Sequence, residues 1–163
     1  MQRYLPFSAF LNRYFDGKIQ KITIDAGFSC PNRDGSISSG GCIYCNNRSF
    51  SPGFTAEKRD IARQMEEGKR FFMRKYPEMK YLAYFQSFTN TYAPVSRLKQ
   101  LYEEALDVDD VVGLVIGTRP DCVSDELLRY LAELRRRHFV MMEYGVESTD
   151  DTVLRRINRG HDY

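Results

Sequence analysis

The sequence predicts an α/β fold of four consecutive β/α units around a parallel sheet, and two observations carry that reading. Short β-branched or apolar runs occur four times, each followed by a segment whose apolar residues return every three or four positions. One of the runs, residues 111–116, is apolar throughout, as expected of a strand buried on both faces.

The elements follow in order. Residues 1–19 carry Tyr4, Phe7, Phe10, Tyr14 and Phe15 and read as an N-terminal extension packed on a core domain that spans 20–163. Ile22 and Ile24 lie in a first strand, 21–26, that stops at Gly27. Ile61, Met65, Gly68, Phe72 and Tyr76 recur at helical spacing and predict a helix over about 56–76. Residues 81–85 form a second strand, and Val95, Leu98, Leu101, Tyr102 and Ala105 mark the second helix. After the third strand, Ser124 is a good N-cap for a helix carrying Leu127, Leu128, Leu131 and Leu134. A fourth strand, 139–142, runs on towards Val146, and Thr149 caps a last short helix with Val153, Leu154 and Ile157.

Strands alternating with helices imply parallel pairing through right-handed crossovers. A (β/α) barrel and an open doubly wound sheet both fit this pattern. Four units supply half of an eight-stranded barrel, so the chain is expected to be the N-terminal part of a longer one.

Composition narrows the class. The 163 residues are 42% hydrophobic and 28% charged, a globular balance, and the net charge of +2 identifies no partner. No apolar run is long enough for a membrane span and no segment has the parts of a signal peptide, so the expected location is the cytoplasm. Three of the four cysteines, Cys30, Cys42 and Cys45, fall within sixteen residues; Cys122 stands apart. In a cytoplasmic protein such a cluster signals metal binding or catalysis, not disulfides.

The cysteine segment is Cys30-Pro-Asn-Arg-Asp-Gly-Ser-Ile-Ser-Ser-Gly-Gly-Cys42-Ile-Tyr-Cys45. A C-x-x-C grips one centre from a tight turn, and a third thiolate arrives from upstream. Gly35, Gly40 and Gly41 allow positive φ angles and close approach to a bound group. Iron–sulfur clusters take four thiolates as a rule; three leave one iron open to another ligand. The same spacing also suits zinc, with Cys122 completing a structural site of four cysteines.

Each strand ends in polar residues, at the end where parallel β/α folds bind ligands. They are Cys30 after the first, Gln86-Ser-Phe-Thr-Asn90 after the second, Thr118-Arg-Pro-Asp121 after the third and Glu143-Tyr-Gly-Val-Glu147-Ser148 after the fourth. With Tyr44 just before the last cysteine, and with Arg159-Gly-His161, these segments resemble the radical S-adenosylmethionine (SAM) superfamily. The resemblance covers residues 20–163 and is nearest to the branch around the Elongator catalytic subunit and the YhcC-like bacterial proteins.

That resemblance implies a partial (β/α) barrel of the radical SAM type, comprising its first four β/α units. It implies a 4Fe–4S cluster on Cys30, Cys42 and Cys45, with the eleven residues between the first two cysteines being a long-loop variant of the usual spacing. It implies SAM bound at the open iron and cleaved to a 5′-deoxyadenosyl radical. Gln86 and Ser87 stand where relatives contact the methionine amino group, although the usual Gly-Gly-Glu-like motif is replaced. Glu147 stands where the ribose hydroxyls are reached, Arg159 where the methionine carboxylate is paired, and Thr118 and Arg119 line the same rim; His161 is placed nearby. The implied electron donor is a flavodoxin or ferredoxin, and the implied substrate is the wobble uridine of tRNA, with Arg135, Arg136, Arg137, Arg155 and Arg156 as groups that could meet phosphates. A small-metabolite radical SAM enzyme and a non-catalytic zinc-binding interaction module are the competing readings.

Overall fold

The computed structural model describes residues 3–46, 49, 60–74 and 78–163. Its elements run α1 (Phe7–Leu11), β1 (Lys18–Ile24), α2 (Ile61–Met73), β2 (Met79–Phe85), α3 (Val95–Leu106), β3 (Val111–Thr118), α4 (Asp125–Leu134), β4 (Phe139–Tyr144) and α5 (Asp151–Arg156). The strands form one parallel sheet in the order β1-β2-β3-β4.

This order separates the two architectures that the pattern left open. A doubly wound sheet reverses its strand order and carries helices on both faces. Here every new strand is added on the same side, and α2, α3 and α4 share one face. That face is the main core: Ile22, Ile24, Tyr81, Phe85, Leu114 and Ile116 meet Ile61 and Met65 of α2, Leu98 and Tyr102 of α3, and Leu127, Leu131 and Leu134 of α4. Each such buried side chain contributes about 1.5–3 kcal/mol of transfer free energy. The opposite face buries Leu82 and Val115 under Leu11 of α1, with Phe10, Phe15, Phe139 and Met141 packed around them. The fold is an α/β arrangement of four units, consistent with a partial barrel whose helices lie outside.

The register sets up the site. Ile24 is level with Phe85, Phe85 with Ile116, and Ile116 with Met142. The four carboxyl ends therefore finish together, and the loops leaving them make a single rim.

Several boundaries differ from the sequence-based expectation for physical reasons. β1 starts at Lys18 because Lys18, Ile19 and Gln20 pair with Met79, Lys80 and Tyr81, which extends both strands backwards. It ends at Ile24 because the Gln64 side chain takes over the next peptide, accepting from Asp25 N (2.9 Å) and donating to Asp25 O (2.8 Å). α2 begins at Ile61, where the Asp60 carboxylate caps it by accepting from Arg63 N at 2.7 Å. Residues 56–59 and Tyr76 of the predicted helix lie outside the described residues. Ser124 caps α4 as expected, accepting from Leu127 N, whereas the cap of α5 is Asp150 and not Thr149: its carboxylate accepts from Thr152 N at 2.7 Å. Among the described residues no helix is long and apolar enough to cross a membrane.

Candidate functional site

The rim encloses a cavity of about 440 Å³, within the size range of small-molecule sites. Its wall includes Cys30, Cys42 and Cys45 together with Gln86, Thr118, Arg119, Glu147 and Arg159. Of the residues singled out in the sequence, Ser87 is buried and is not part of the wall. Cys122 lines a different cavity, with Pro31, Tyr92 and Val123. His161 is likewise outside the wall, and its Nδ1 lies 3.0 Å from Asp162 O.

The cysteine loop is a folded unit. Gly35, Gly40 and Gly41 adopt φ values of +92°, +88° and +84°, as the glycine spacing implied. Asp34 and Ser39 form a short antiparallel bridge, and Arg33 donates from Nη2 to Cys45 O at 3.0 Å. The loop is fastened to the segment after α5. Ile43 N donates to Ile157 O at 3.1 Å, and Asn158 Nδ2 donates to Gly41 O at 2.9 Å. The Asn32 side chain, fully buried, donates from Nδ2 to Asn158 O (2.6 Å) and Arg159 O (2.7 Å).

That fastening carries Arg159 into the site. Arg159 is only 6% exposed; its Nη2 donates to Gly145 O at 2.5 Å, its Nη1 reaches Cys42 Sγ at 3.7 Å, and its buried Nε has no partner among the described residues. Arg119 lines the same rim. Its fork is occupied on one side by Asp121, at 2.9 and 2.7 Å, and on the other by Arg159 O at 2.9 Å, so it braces the rim. Burial works against the Arg119 charge, but the Asp121 hydrogen bonds and carboxylate outweigh it and push the guanidinium further up. Burial would also raise the Asp121 carboxyl; the Arg119 bonds overcome that and hold it below its ordinary value. Burial pushes the Cys122 thiol up to about 11, so it is protonated at neutral pH.

Thr118 is tied down as well: its hydroxyl pairs with Thr91 Oγ1 at 2.5 Å, and its carbonyl accepts from Gly145 N at 2.9 Å. Glu147 is exposed and held at φ +69°, and Phe88 on the facing wall sits at +63°. Non-glycine residues in this region cost about 1–3 kcal/mol each, and such strain gathers at ligand sites. Lower on the inner sheet face, Tyr84 donates to Glu143 Oε2 at 2.7 Å, and Lys21 pairs with Glu143 Oε1 at 3.2 Å while lying 4.0 Å from the Tyr84 ring centroid. Burial, reinforced by the Glu143 hydrogen bond, pushes the Tyr84 phenol up.

The donor set fits an iron–sulfur cluster. Three thiols, Cys30, Cys42 and Cys45, stand on the wall of one cavity, and thiolates are the usual ligands of such clusters. The cavity also combines cations (Arg33, Arg159), carboxylates (Glu143, Glu147) and aromatic rings (Tyr44, Phe88, Tyr144), groups matched to a zwitterion joined to a nucleoside.

Sequence reasoning missed Asn32 and Asn158 as the fasteners of the loop, and Lys21 and Tyr84 as partners of Glu143. The asparagines had a weak signal: each stands within two residues of a predicted ligand, Asn32 after Cys30 and Asn158 before Arg159. The other pair joins residues from separate strands, and only the register brings them together.

The chain is 40% identical over 162 residues to an uncharacterized protein, YtqA, of Bacillus subtilis, covering 99% of this chain and 50% of that one. It is 42% identical over 158 residues to YhcC of Escherichia coli K12, with 96% and 50% covered, and 36% identical over 166 residues to an uncharacterized protein of Methanocaldococcus jannaschii, with 98% and 49% covered. The chain thus spans about half the length of the curated relatives it matches. The pattern of the radical SAM superfamily matches residues 33–163, which takes in Cys42, Cys45 and every strand-end segment after them. By that match over most of its length, the chain belongs to the radical SAM superfamily.

Proposed function

We propose that Cys30, Cys42 and Cys45 hold a 4Fe–4S cluster and that the cavity beside them binds SAM for radical chemistry. The observation that carries this reading is the lining of one cavity by the three cysteines together with Glu147 and Arg159, which approach it from the segments after β4 and α5. When bound, the cluster and SAM supply a one-electron cleavage of the sulfonium and a radical that abstracts hydrogen. The chain's own residues bind, orient and exclude water. Arg159 presents a buried guanidinium to a carboxylate, Glu147 a carboxylate to ribose hydroxyls, and Gln86 a carboxamide to the amino group. Tyr44 and Phe88 supply apolar surface that keeps water from the reacting centre. Reducing equivalents come from a low-potential donor of the flavodoxin or ferredoxin kind. The test is the absorption spectrum of anaerobically reconstituted protein with and without SAM. A brown chromophore perturbed by SAM is expected; a colourless protein holding one equivalent of zinc would defeat the reading and favour a structural zinc module.

The substrate we propose is a tRNA, on the strength of the likeness to the Elongator branch and of the exposed Arg155 and Arg156 on α5, next to the site. Arg135, Arg136 and Arg137 precede β4 and therefore lie at the opposite, amino end of the sheet. RNA recovered with the full-length protein is the expected result. Its absence, with turnover of a small molecule instead, would select the metabolite reading.

A further inference from the structure

The three cysteines are not equivalent. Cys42 is 7% exposed, whereas Cys30 and Cys45 are half-buried. Two side-chain donors also converge on the Cys42 sulfur: Asn32 Nδ2 at 3.5 Å and Arg159 Nη1 at 3.7 Å. Asn32 shares its two N–H bonds among that sulfur and the carbonyls of Asn158 and Arg159, so one amide fixes both the sulfur and the segment that delivers the second donor. Two carbonyl partners settle which end of the amide carries nitrogen. The fit is close. Asn158 takes φ +55° and Gly160 +75°, and a Cβ on Gly160 would lie 2.3 Å from Asn32 Oδ1, so only glycine lets the backbone pass.

Resting on the cluster assignment above, we propose that Asn32 is a positioning residue that aims two donors, its own amide and the Arg159 guanidinium, at the Cys42 sulfur and thereby raises the cluster's reduction potential. Hydrogen bonds to cluster sulfurs, and a nearby positive charge, stabilise the more negative reduced state. Cys42 becomes the ligand through which this chain sets how readily the cluster accepts its electron. The contact between Arg159 and Cys42 also makes the residue proposed to hold the SAM carboxylate a tuner of the cluster.

The test is an anaerobic redox titration, without SAM, followed by electron paramagnetic resonance of the reduced cluster. Wild type, Asn32→Leu, Arg159→Met and Ser38→Ala are compared. Ser38→Ala removes bonds to Asn32 O and Asn158 Nδ2 while leaving both sulfur donors in place. Lower midpoint potentials in Asn32→Leu and Arg159→Met, with Ser38→Ala at the wild-type value, are expected. Clusters at the wild-type potential in both donor variants overturn the proposal and leave the cluster assignment standing. A Ser38→Ala shift as large as theirs also overturns it, since loosening of the loop would then be the cause. If Asn32→Leu does not assemble a cluster, the potential of Arg159→Met decides. Loss of the chromophore in both donor variants, with secondary structure intact, places their role in assembly and likewise overturns the proposal. A colourless wild type removes the cluster assignment itself, and this inference with it.

Discussion

The helix-covered face of the sheet and the rim at its carboxyl end obey different rules. On the face, pattern, propensity and packing agree: Leu114 and Ile116 are fully buried in the core that α3 and α4 cover, and both helices keep regular apolar stripes. On the rim, local rules are broken repeatedly. Phe88, Glu147 and Asn158 take left-handed backbone, two arginines are buried, and the buried Thr89 Oγ1, Asn90 Oδ1 and Arg159 Nε have no partner among the described residues. Stability is concentrated in the first region, and the second departs from local rules around the cavity.

The contrast can be broken most sharply at the cysteines. Cys30→Ala, Cys42→Ala and Cys45→Ala should each abolish the chromophore while leaving far-ultraviolet circular dichroism unchanged; Cys122→Ala should keep both. A colourless Cys122→Ala protein would move that cysteine into the ligand set. The converse change, Leu114→Ala, should cost about 2–5 kcal/mol in urea unfolding through the cavity it leaves, yet SAM affinity per folded molecule should stay at the wild-type value. A binding defect in this variant would show that face and rim are energetically one unit.

Glu147→Gly sharpens the comparison because it acts on both terms with opposite signs. Relief of the positive φ should stabilise the fold by about 1 kcal/mol, while loss of the carboxylate should weaken SAM binding roughly ten- to a hundredfold. A variant that is less stable would mean that Glu147 is a structural residue. The smallest effect concerns acid. The folded-state Asp121 carboxyl is held below its ordinary value, so its contribution is present above that value and fades as pH falls through the lowered one. Discounted for its partial exposure, the effect is about 1 kcal/mol or less. Urea midpoints of wild type should fall between pH 5 and pH 3, and those of Asp121→Asn should fall less.

Much of the face was legible in the sequence and less of the rim, for a physical reason. Apolar periodicity reports burial along one element, so the four units, the Ser124 cap and the doubly buried β3 could be read directly. Cap choice is a local competition that spacing does not resolve, as Asp150 in place of Thr149 illustrates. The rim depends on contacts between distant segments. Motif position brought Arg119 and Arg159 to the cavity, but nothing in the local sequence distinguished the arginine locked onto Asp121 from the one left with an open Nε. Ser87 follows Gln86 and shares its motif, yet the backbone turns it inward.

The bond between the cysteine loop and the segment after α5 has a consequence for the order of events during synthesis. Cys45 and Ile157 are 112 positions apart. At roughly 5–20 residues per second, the loop leaves the ribosome some 6–22 s before the segment that fastens it. In that interval β1, β2 and β3 can pair and collect their helices through contacts between neighbours in sequence, whereas the cysteines wait for the most distant contact in the site. The sheet is thus a scaffold raised first, and the cysteine loop is fastened only once the segment after α5 has emerged.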